Sequence, residues 1–541
     1  MLFRSDGAVT GVLDLGDLTH STLVFDIASA FGSLAATLQG DDLFRVFRLF
    51  LDGYRSVTPL EPEELAVLGD TVALRAAMTL CISHWRAADH ADNAAYIQAW
   101  DEMSLSLLRQ FKELGPEGVT QRLGGPVPAP DTADLARRRA SVFGTALAPL
   151  SYSRPLHLVS GRGATMTDSD GTTYIDAYNN VPVIGHAHPR VSGRISDQAR
   201  VLSTNLRYLH PRAIELAERL LATVPPELDT VLLVNSGSEA TDLAWRLAMA
   251  ATGRSGALVT DFAYHGVTTA ATALSPEEWR GGWKPDNVER FAAPQGQGAD
   301  VNPFDGAVGR LRAAGHEPGL VIVDTTYTSD GILSPGPDYH EALGTAARDA
   351  GALVVADEVQ AGFGRTGEHL WSFVGAGLVP DMVALGKPMG NGYPLAALIA
   401  RSSYVEALGR EAEFFSTFAG SPVAAVAGLA VLDVIEDEDL VAHTAAMGEL
   451  LVTRLREGTA GCRAVHDVRG RGLLVGVDLA GTPDPEVAGV LDHARAQGVL
   501  IGTTGPRYDV LKVRPPLVIT ADQIERVASV VSDAVRQIAD C

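Results

Sequence analysis

After residue 141, the chain alternates short apolar runs with amphipathic stretches. The apolar runs are TVLLVN (230–235), GALVTD (256–261), GLVIVDT (319–325), GALVVADE (351–358), DMVALG (381–386) and PLAALIA (394–400). Segments with helical spacing, such as SEATDLAWRLAMAAT and YHEALGTAARDA, lie between several of these runs. Continuous Val, Leu and Ile runs that alternate with helices are typical of strands buried on both faces of a parallel sheet. The pattern therefore predicts an α/β fold in which helices cover a mostly parallel sheet.

The first part of the chain has a different pattern. Segments such as EELAVLGDTVALRAAMTLCISHWRAAD and AAYIQAWDEMSLSLLRQFKEL have helical spacing, whereas GAVTGVLDLGD is typical of a hairpin strand. Segment 116–140 combines Pro, Gly and charge without clear periodicity, which predicts a linker. We expect a mostly helical unit at 1–115, followed after the linker by an α/β part. Within that part, we assign 206–435 to a large domain, and 141–205 with 436–541 to a small α+β domain.

Reactive or anion-binding residues follow three of the predicted strands. Ser236, Gly237 and Ser238 connect TVLLVN to a helix, where free backbone N–H groups and the helix dipole favour an anion. A plain Ser N-cap is the alternative there. Asp357 ends GALVVADE, either as a partner for a cation or as a cap or loop acid. Lys387 follows DMVALG and is one of only four lysines in the chain, which uses Arg for nearly every other positive charge.

These three strand ends match the needs of one cofactor. Ligands of open α/β sheets bind at the carboxyl ends of the strands. Pyridoxal phosphate (PLP) has an aldehyde that reacts with an amine, a pyridinium nitrogen that pairs with a carboxylate, and a phosphate that suits a helix N-terminus. A desolvated lysine becomes a nucleophilic amine, which Arg cannot do at neutral pH. We therefore predict PLP, and no metal site, because no cluster of carboxylates or His accompanies Asp357.

Composition excludes several other classes of protein. The 541 residues carry a formal net charge of −23, so the basic footprint of a nucleic-acid-binding protein is absent. The chain has neither an uncharged apolar run of about 18 residues nor a signal-peptide pattern at 1–25, so we expect no membrane association. Its three cysteines are scattered and form no CxxC, which favours a reducing cytoplasm over a disulfide framework or a zinc ribbon.

Many blocks of the chain occur in the order found in one enzyme family. The sequence DGTTYIDAYNN, IGHAHP, VNSGSEATDLAWRLA, YHG, DEVQAGFGRTG, GKPMGNGYPLAA, FFSTFAGSPVA and VRGRGLLVGVDL resembles the class III (ornithine- or omega-type) aminotransferases over roughly residues 141–541. The resemblance implies the fold type I of PLP-dependent transferases. It also implies that Lys387 forms the internal aldimine and shuttles a proton, and that Asp357 pairs with the pyridine nitrogen.

The same resemblance implies further contacts to PLP. These are Val359 and Tyr264 on the two ring faces, His265 beside Tyr264, Gln360 near the ring hydroxyl, and Ser236, Gly237 and Ser238 at the phosphate. Thr417 corresponds to a residue that reaches the phosphate of a partner subunit, which implies a homodimer with shared active sites. His186 and His188 of GHAHP could be metal ligands, but the following Pro and the family comparison favour a structural turn.

Two differences from the family pattern bear on the reaction. Many of these aminotransferases have Glu-Pro where this chain has Asp324 and Thr325, and in relatives that exchange two substrates that Glu neutralises an arginine. YNNVPVIGHAHP and STNLRYLHP instead resemble the phospho-lyases that act on phosphoethanolamine and phosphohydroxylysine. We therefore expect a small O-phosphorylated amine or amino acid to lose phosphate and ammonia. Guanidinium groups grip phosphate or carboxylate bidentately, and the candidate substrate binders are Tyr152, Arg154, Arg207 and Arg514.

The block VTGVLDLGDLTHSTLVFDIASAF resembles the end of the C-lobe of aminoglycoside/choline/hydroxylysine-type kinases, with Asp14 as the magnesium ligand. An ordinary strand and turn with two acids is the alternative. The N-lobe and the catalytic loop of such a kinase would precede Met1, so we expect no phosphoryl transfer by this fragment alone. A kinase joined to a phospho-lyase makes chemical sense, because phosphate is a better leaving group than hydroxide.

Other functions remain open from the sequence alone. Ordinary transamination uses the same PLP residues, and decarboxylation or racemisation is a further possibility for a PLP enzyme. A non-catalytic domain is also conceivable, but the intact Lys387 and Asp357 argue against it.

Overall fold

The computed structural model describes residues 2–3, 9–11, 23–35, 38, 40–123, 131–147, 150–479 and 481–537. The chain divides into two compact units, Met1–Leu135 and Ala136–Cys541. The boundary lies within the segment 116–140 that the sequence predicts to be a linker.

The first unit is mostly helical, which confirms the prediction for this part of the chain. Two short strands, β1 (Leu2–Phe3) and β2 (Val9–Gly11), pair antiparallel. The helices are α1 (Leu23–Ala35), α2 (Gly40–Val57), α3 (Pro62–Ala66), α4 (Leu68–Asp89), α5 (Ala94–Ile97) and α6 (Asp101–Arg122). Phe31 is fully buried, with its ring centroid 4.7 Å from that of Phe47 and 6.0 Å from that of Phe111. Asp14, the predicted magnesium ligand, lies outside the described residues.

Much of the predicted linker is helical. Helix α6 bends at Gly115, where φ is 71°, and then continues to Arg122, while α7 (Thr132–Phe143) begins before residue 140. Val119 and Leu123 are buried four residues apart, a helical spacing that the Pro and Gly content of the segment obscures. The expectation of a segment without periodicity is therefore wrong for 116–122 and 132–140. Residues 124–130 lie outside the described part of the chain.

The second unit contains the remaining elements. Its strands are β3 (Leu158–Arg162), β4 (Thr165–Asp168), β5 (Thr173–Asp176), β6 (Thr230–Val234), β7 (Gly256–Thr260), β8 (Val288–Phe291), β9 (Pro318–Val323), β10 (Leu353–Asp357), β11 (Met382–Leu385), β12 (Ala396–Ala400), β13 (Asp467–Arg471), β14 (Leu474–Asp478), β15 (Val499–Leu500), β16 (Gly502–Thr504) and β17 (Val510–Val513). Its helices after α7 are α8 (Pro189–Ala199), α9 (Pro211–Leu221), α10 (Gly237–Thr252), α11 (Thr269–Ala273), α12 (Asn302–Ala313), α13 (Pro337–Ala350), α14 (Ser372–Ala376), α15 (Ser402–Gly409), α16 (Pro422–Asp437), α17 (Leu440–Gly458), α18 (Asp484–Ala496) and α19 (Ala521–Val535).

A seven-stranded sheet forms the centre of this unit, in the order β6-β12-β11-β10-β9-β7-β8. Each of the six apolar runs forms one of its strands, which confirms the predicted strands. All neighbouring pairs are parallel except those of β12, which runs antiparallel to both β11 and β6. Ala257, Leu258 and Val259 are all fully buried and alternate between two separate apolar clusters. Helices therefore cover both faces of the sheet, as predicted.

Two four-stranded sheets complete the unit. One has the antiparallel order β13-β14-β17-β16, and the other has the order β15-β5-β4-β3. Strand β15 pairs parallel to β5, so a C-terminal strand is joined to the segment that precedes the large sheet. The domain boundaries assigned at 205/206 and 435/436 stay predictions.

None of the helices in the described ranges combines the length and the apolar composition that a membrane span requires. Cys81 is a free, exposed thiol. Cys462 is disulfide-bonded, which the scattered cysteines did not predict. A cytoplasmic location stays a prediction.

Candidate active site

The predicted reactive residues meet at a cavity of about 200 Å³ in the second unit. Asp357 ends β10, Lys387 follows β11 after a single residue, and Gly237 begins α10 after the two residues that follow β6. All three line the cavity, as do the predicted Ser238, Tyr264, His265, Val359 and Gln360. The structure thus places an amine, a carboxylate and a helix N-terminus around one space.

Lys387 has an unusual backbone conformation and a perturbed amine. It begins a 3-10 turn, Lys387–Gly390, and its φ of 22° is rare for a residue with a side chain. Gly386 before it has no room for a side chain, because a Cβ would lie 3.1 Å from Cα of Gly237. Burial, followed by the positive charge of Arg514, lowers the pKa of Lys387 to about 8. A larger fraction of its amine is therefore neutral and nucleophilic near neutral pH.

Asp357 is a buried carboxylate held by two contacts. Its Oδ2 lies 2.6 Å from Nδ1 of His265, and its Oδ1 accepts the backbone N–H of Val359 at 3.0 Å. The backbone N–H of His265 donates to Oγ of Ser275 at 2.8 Å, which fixes the residue from the other side. Nε2 of His265 is buried and has no hydrogen-bond partner among the described residues. This pair places a negative charge and an unused imidazole nitrogen at the carboxyl edge of the sheet.

The N-terminus of α10 forms the anion-binding side of the cavity. Ser236 is the N-cap, and its Oγ accepts the N–H of Glu239 at 3.2 Å. Gly237 and Ser238 line the cavity and Ser236 does not, so the cap is observed and the predicted phosphate contact of Ser236 stays a prediction. Oγ of Ser238 accepts the N–H of Val267 at 3.0 Å. A Cβ at position 237 would lie only 2.9 Å from Cγ2 of Val359, so glycine brings this backbone close to the cavity.

Arg514 positions Gln360 rather than facing the cavity with free donors. Its Nη1 donates to Oε1 of Gln360, and its Nε and Nη2 donate to the carbonyl of Tyr178 at 3.1 and 2.8 Å. Nδ2 of Asn180 also donates to Oε1 of Gln360, at 3.2 Å. The three nitrogens of the Arg514 guanidinium therefore all have partners within the protein, which weakens its prediction as a substrate binder.

The other predicted substrate binders do not line the cavity. They make contacts of their own, namely Oη of Tyr152 to O of Ile501 at 2.9 Å, Nη2 of Arg154 to Oδ2 of Asp170 at 3.4 Å, and the Arg207 guanidinium 4.0 Å from the ring centroid of Phe415. Thr417 is exposed and also lies outside the cavity lining. The structure therefore does not bring these four residues together with Lys387 in this chain.

A turn between β9 and α13 lines the cavity, although no motif in the sequence marks it as part of the site. Asp324 follows β9, and its Oδ1 accepts the N–H and the hydroxyl of Thr326 at 2.9 and 2.6 Å. Its Oδ2 accepts the N–H of Thr328 at 3.0 Å. Both carboxylate oxygens are thus used within the turn. Sequence reasoning identified Asp324 only as a departure from a family pattern.

Asp330, in the same turn, is a second acid that sequence reasoning missed. Its Oδ2 accepts the hydroxyl of Thr260 at 2.6 Å, and its Oδ1 accepts the N–H of Phe262 at 3.0 Å. Burial raises the pKa of Asp330 to about 6. An acid that follows a Ser in a loop has no pattern that marks it as buried, so only the fold reveals its place in the cavity wall.

Among the described residues, no group of three or more His, Cys, Asp or Glu side chains could hold a metal ion. Nε2 of His186 instead lies 2.7 Å from Oδ2 of Asp176, which is fully buried and also accepts the N–H groups of Tyr178 and Asn179 through Oδ1. These contacts agree with the structural turn that the sequence favours for His186.

Comparison with known proteins gives consistent results. The family model described as aminotransferase class-III matches residues 149–535. Ethanolamine-phosphate phospho-lyase homolog 1 from Caenorhabditis elegans is 32% identical over 424 residues, which are 72% of this chain and 91% of that protein. Acetylornithine aminotransferase from Methanothermobacter thermautotrophicus is 36% identical over 391 residues, which are 71% of this chain and 95% of that protein.

A solved structure is also similar. It is a phospholyase from Arthrobacter in complex with phosphoethanolamine, with 37% sequence identity and a TM-score of 0.71. The similarity covers 75% of this chain and all of that chain. The family match spans more than half of the 541 residues and includes the whole cavity lining. The chain therefore belongs to the class-III aminotransferase family of PLP-dependent enzymes.

Proposed function

We propose that this chain is a phospho-lyase that eliminates phosphate and ammonia from a small O-phosphorylated amine. The observation that carries the proposal is the closed turn at Asp324, whose carboxylate oxygens are both used by Thr326 and Thr328. In relatives that exchange two substrates, a Glu at this place neutralises an arginine. Here the acid is one methylene shorter and both of its oxygens accept hydrogen bonds from its own turn, so it forms no ion pair with an arginine among the described residues. The similarity to the C. elegans and Arthrobacter proteins supports the same reaction.

The cavity residues fit PLP. The buried Asp357 offers a negative charge to a pyridinium nitrogen, and the N-terminus of α10 at Gly237 offers N–H groups and a dipole to a phosphate. A Cβ at Gly237 would collide with Val359, so glycine allows this helix N-terminus to lie directly against a residue of the cavity lining. The partnerless Nε2 of His265 is a further polar atom at the site. We propose that Lys387, Asp357, Tyr264, Val359 and Gln360 are the main residues that hold the cofactor.

When bound, PLP supplies an aldehyde that condenses with amines and a ring that stabilises negative charge on the carbon next to the nitrogen. The protein supplies the positioning and the proton transfer. Nζ of Lys387, with its pKa lowered to about 8, accepts the proton from the carbon that bears the substrate amine. His265 holds Asp357 in place through the 2.6 Å contact, and Val359 packs beside Gly237.

The net reaction eliminates phosphate and then hydrolyses the remaining C–N bond, which releases ammonia. For phosphoethanolamine, the C–O bond to phosphate breaks and its electron pair leaves with the phosphate, while water provides the oxygen of the product aldehyde. The products are acetaldehyde, ammonium and hydrogen phosphate, and no amino group is transferred to an acceptor. The experiment is to incubate the purified holoenzyme with a panel of phosphoamines, hydroxy-amines and amines, and to measure ammonia, phosphate and pyridoxamine phosphate together. Equal release of phosphate and ammonia without a keto acid is the expected result.

Ordinary transamination is the alternative function. It is supported by the 36% identity to an acetylornithine aminotransferase, since both reactions need the same lysine and the same acid. Accumulation of pyridoxamine phosphate on addition of an amine alone, with no release of phosphate from any phosphoamine, would establish transamination and refute elimination.

We also propose that the enzyme is a homodimer with shared active sites. Thr417 is exposed in the single chain, next to Phe418, whose side chain is 76% exposed. Val267, beside Ser238 at the cavity, is 71% exposed, and Leu209 is 96% exposed. Large apolar side chains left this exposed in the single chain support a surface that a partner subunit covers.

Mixing two inactive variants tests the shared site. If Thr417 completes the site of the partner subunit, a heterodimer of Lys387→Ala and Thr417→Ala chains has one site with both defects and one intact site. Activity should then appear on mixing after subunit exchange. If mixing restores no activity while exchange is verified, Thr417 acts within its own subunit or not at all.

The N-terminal unit is proposed to be a fragment of a kinase C-lobe. The helical core around Phe31, Phe44, Phe47 and Phe111 supports a helical lobe without identifying it. A crystal structure of the full chain decides the point by superposition of α1–α6 on the C-lobe of an aminoglycoside phosphotransferase. A different order or packing of these helices would refute the proposal.

A further inference from the structure

Lys512 is a cation beside the active site with no role assigned so far. It lies on β17, opposite Gly476 of β14 on one side and Gly502 of β16 on the other. Glycine on both neighbouring strands leaves the face of the sheet above Lys512 uncovered by their side chains. The ring of Tyr178 occupies part of this space, because a Cβ at Gly502 would collide with it.

The position of the Lys512 ammonium is fixed by an aromatic contact. Its Nζ lies 5.6 Å from the ring centroid of Tyr178, and the guanidinium of Arg514 lies 5.5 Å from the same centroid. Residues 512 and 514 are two apart on an extended segment, so their side chains leave the same face. Tyr178 thus holds two cations next to each other, and Arg514 continues from there to the cavity residue Gln360.

The sheet that carries Lys512 adjoins the cavity wall. Oγ1 of Thr504, at the end of β16, donates to the carbonyl of Thr328 at 2.6 Å, and the N–H of Gly505 donates to the carbonyl of Ser329 at 3.1 Å. Thr328 and Ser329 both line the cavity. Burial, and then the positive charges of Arg514 and Lys387, lower the pKa of Lys512, whereas Glu277 and Asp324 act in the opposite direction. Lys512 therefore lies within electrostatic range of the reactive amine.

Lys512 differs from the arginines near the site in its unused donors. The nitrogens of Arg514 are bound to Tyr178 and Gln360, Arg154 contacts Asp170, and Arg207 lies over the ring of Phe415. Like Lys512, none of these arginines belongs to the cavity lining itself. The ammonium of Lys512 makes no hydrogen bond or ion pair to any residue that the structure describes. It carries three N–H donors, which suit the oxygens of an anion.

We propose that Lys512 binds the phosphate group of the substrate and so selects phosphorylated amines at this active site. The assignment rests on the proposed elimination reaction, because that reaction requires a phosphate next to the carbon that loses its proton. Lys387 and Lys512 then have separate tasks, since one amine reacts at the carbon and the other holds the leaving group. Arg514 is a positioning residue that places Gln360 and shares the Tyr178 ring.

The test compares four proteins, all saturated with PLP: the wild type, Lys512→Met, Lys512→Arg and the control Lys112→Met. Lys112 is an exposed lysine on α6 in the first unit, so its removal changes the lysine count but not the site. The dissociation constant for inorganic phosphate is measured by calorimetry, and bound cofactor is measured after its release. We expect Lys512→Met to raise the dissociation constant by about 10- to 100-fold, the range of a charge-assisted hydrogen bond. Cofactor content should stay equal, and Lys512→Arg should retain part of the affinity.

Kinetics separate this proposal from the proposed reaction. In the wild type, phosphate release from phosphoethanolamine reports the elimination itself, and Lys512→Met should raise its KM by a similar factor. Equal phosphate affinity and equal KM in wild type and Lys512→Met would overturn the role of Lys512 and leave the elimination intact. Absence of phosphate release in the wild type, with Lys512-dependent binding of inorganic phosphate, would refute the elimination and retain the anion site. If the Lys512→Met variant loses its cofactor, the same measurements are made on Lys512→Gln as the neutral variant, and their result decides the question.

Discussion

The carboxylate of Asp357 offers the sharpest test of the active-site assignment. The variant Asp357→Asn keeps the shape of the side chain and removes its negative charge. The amide oxygen can still accept the N–H of Val359, which lies 3.0 Å from Oδ1 in the native protein. The contact of 2.6 Å to Nδ1 of His265 loses its ionic acceptor. The substitution therefore changes the electrostatics of the site with little change in packing.

The magnitude follows from these contacts. Hydrogen bonds to charged groups contribute about 1.5–3 kcal/mol, against about 0.5–1.5 kcal/mol for neutral pairs, so the lost charge at His265 alone costs about 1 kcal/mol. A cation about 4 Å from the carboxylate would lose up to about 4 kcal/mol more at an effective dielectric constant of about 20. The expected loss in kcat lies between about fivefold and about five-thousandfold, and values near the upper end indicate a direct partner of a bound cation.

The assay is release of phosphate and ammonia from the substrate found with the panel, with bound PLP measured on the same preparation. Asp381→Asn is the matched control, because Asp381 is also buried and also accepts a backbone N–H, that of Val354 at 3.0 Å. It precedes β11, whereas Asp357 ends the neighbouring β10, so the two acids lie at opposite ends of the paired strands. The control should lose stability but keep its kcat. A native kcat in Asp357→Asn with unchanged cofactor would refute the pairing of Asp357 with the cofactor.

Three further predictions concern the amine of Lys387 and the N-terminus of α10 at Gly237. Lys387→Ala should abolish turnover, and borohydride reduction should fix PLP to the peptide 381–400 of the wild type, read by mass spectrometry; wild-type label at another lysine instead would contradict it. Gly237→Ala places a Cβ 2.9 Å from Cγ2 of Val359, so PLP affinity should fall by about 5- to 150-fold, the effect of about 1–3 kcal/mol of overpacking. Adding Val359→Ala should restore part of that affinity, and no restoration would show that crowding is not the cause. Because the neutral amine is the reactive form and the pKa of Lys387 is lowered to about 8, the rate of PLP incorporation into apoprotein should rise from pH 7 to 9 and then level off. A rate that continues to rise beyond pH 10 would indicate an unshifted lysine.

The strands of the large sheet could be predicted from sequence, but the direction of one of them could not be read from its residues. PLAALIA forms β12 (Ala396–Ala400), and its apolar run would look the same in a parallel or an antiparallel strand. The strand direction is indicated instead by the length of the connection between β11 and β12. Residues 386–395 between β11 and β12 form only a 3-10 turn, which is shorter than the crossover of a dozen or more residues that parallel neighbours need.

The site was predictable where chemistry is tied to a strand end and unpredictable where it depends on packing. Lys387 and Asp357 follow buried strands, so their place in the fold is set by the pattern of apolar runs. Arg514 shows the opposite case, because its sequence context suggested an anion binder and its donors are used by Tyr178 and Gln360. Asp330 is another, since a loop acid reveals its burial only when the turn is folded against Thr260. Hydrogen-bond partners that lie 70 or more residues apart in the chain leave no trace in local spacing.

The distribution of lysine in the chain links these observations to the choice of reaction. A PLP enzyme that eliminates or transfers needs one reactive amine, and Lys387 satisfies that need in either case. A second buried amine at the same site is costly, because burial and the like charges of Lys387 and Arg514 lower the pKa of Lys512 to about 7. Arg at position 512 would keep its charge more readily, but its planar fork requires more space beside the ring of Tyr178, whereas an ammonium is compact. Retention of a lysine there is therefore easiest to explain if its ammonium binds a small, highly charged group. Such a group distinguishes a phosphorylated amine from the substrates of ordinary transamination. The proposal therefore assigns specificity for elimination to Lys512 and the Asp324 turn rather than to the residues that hold PLP.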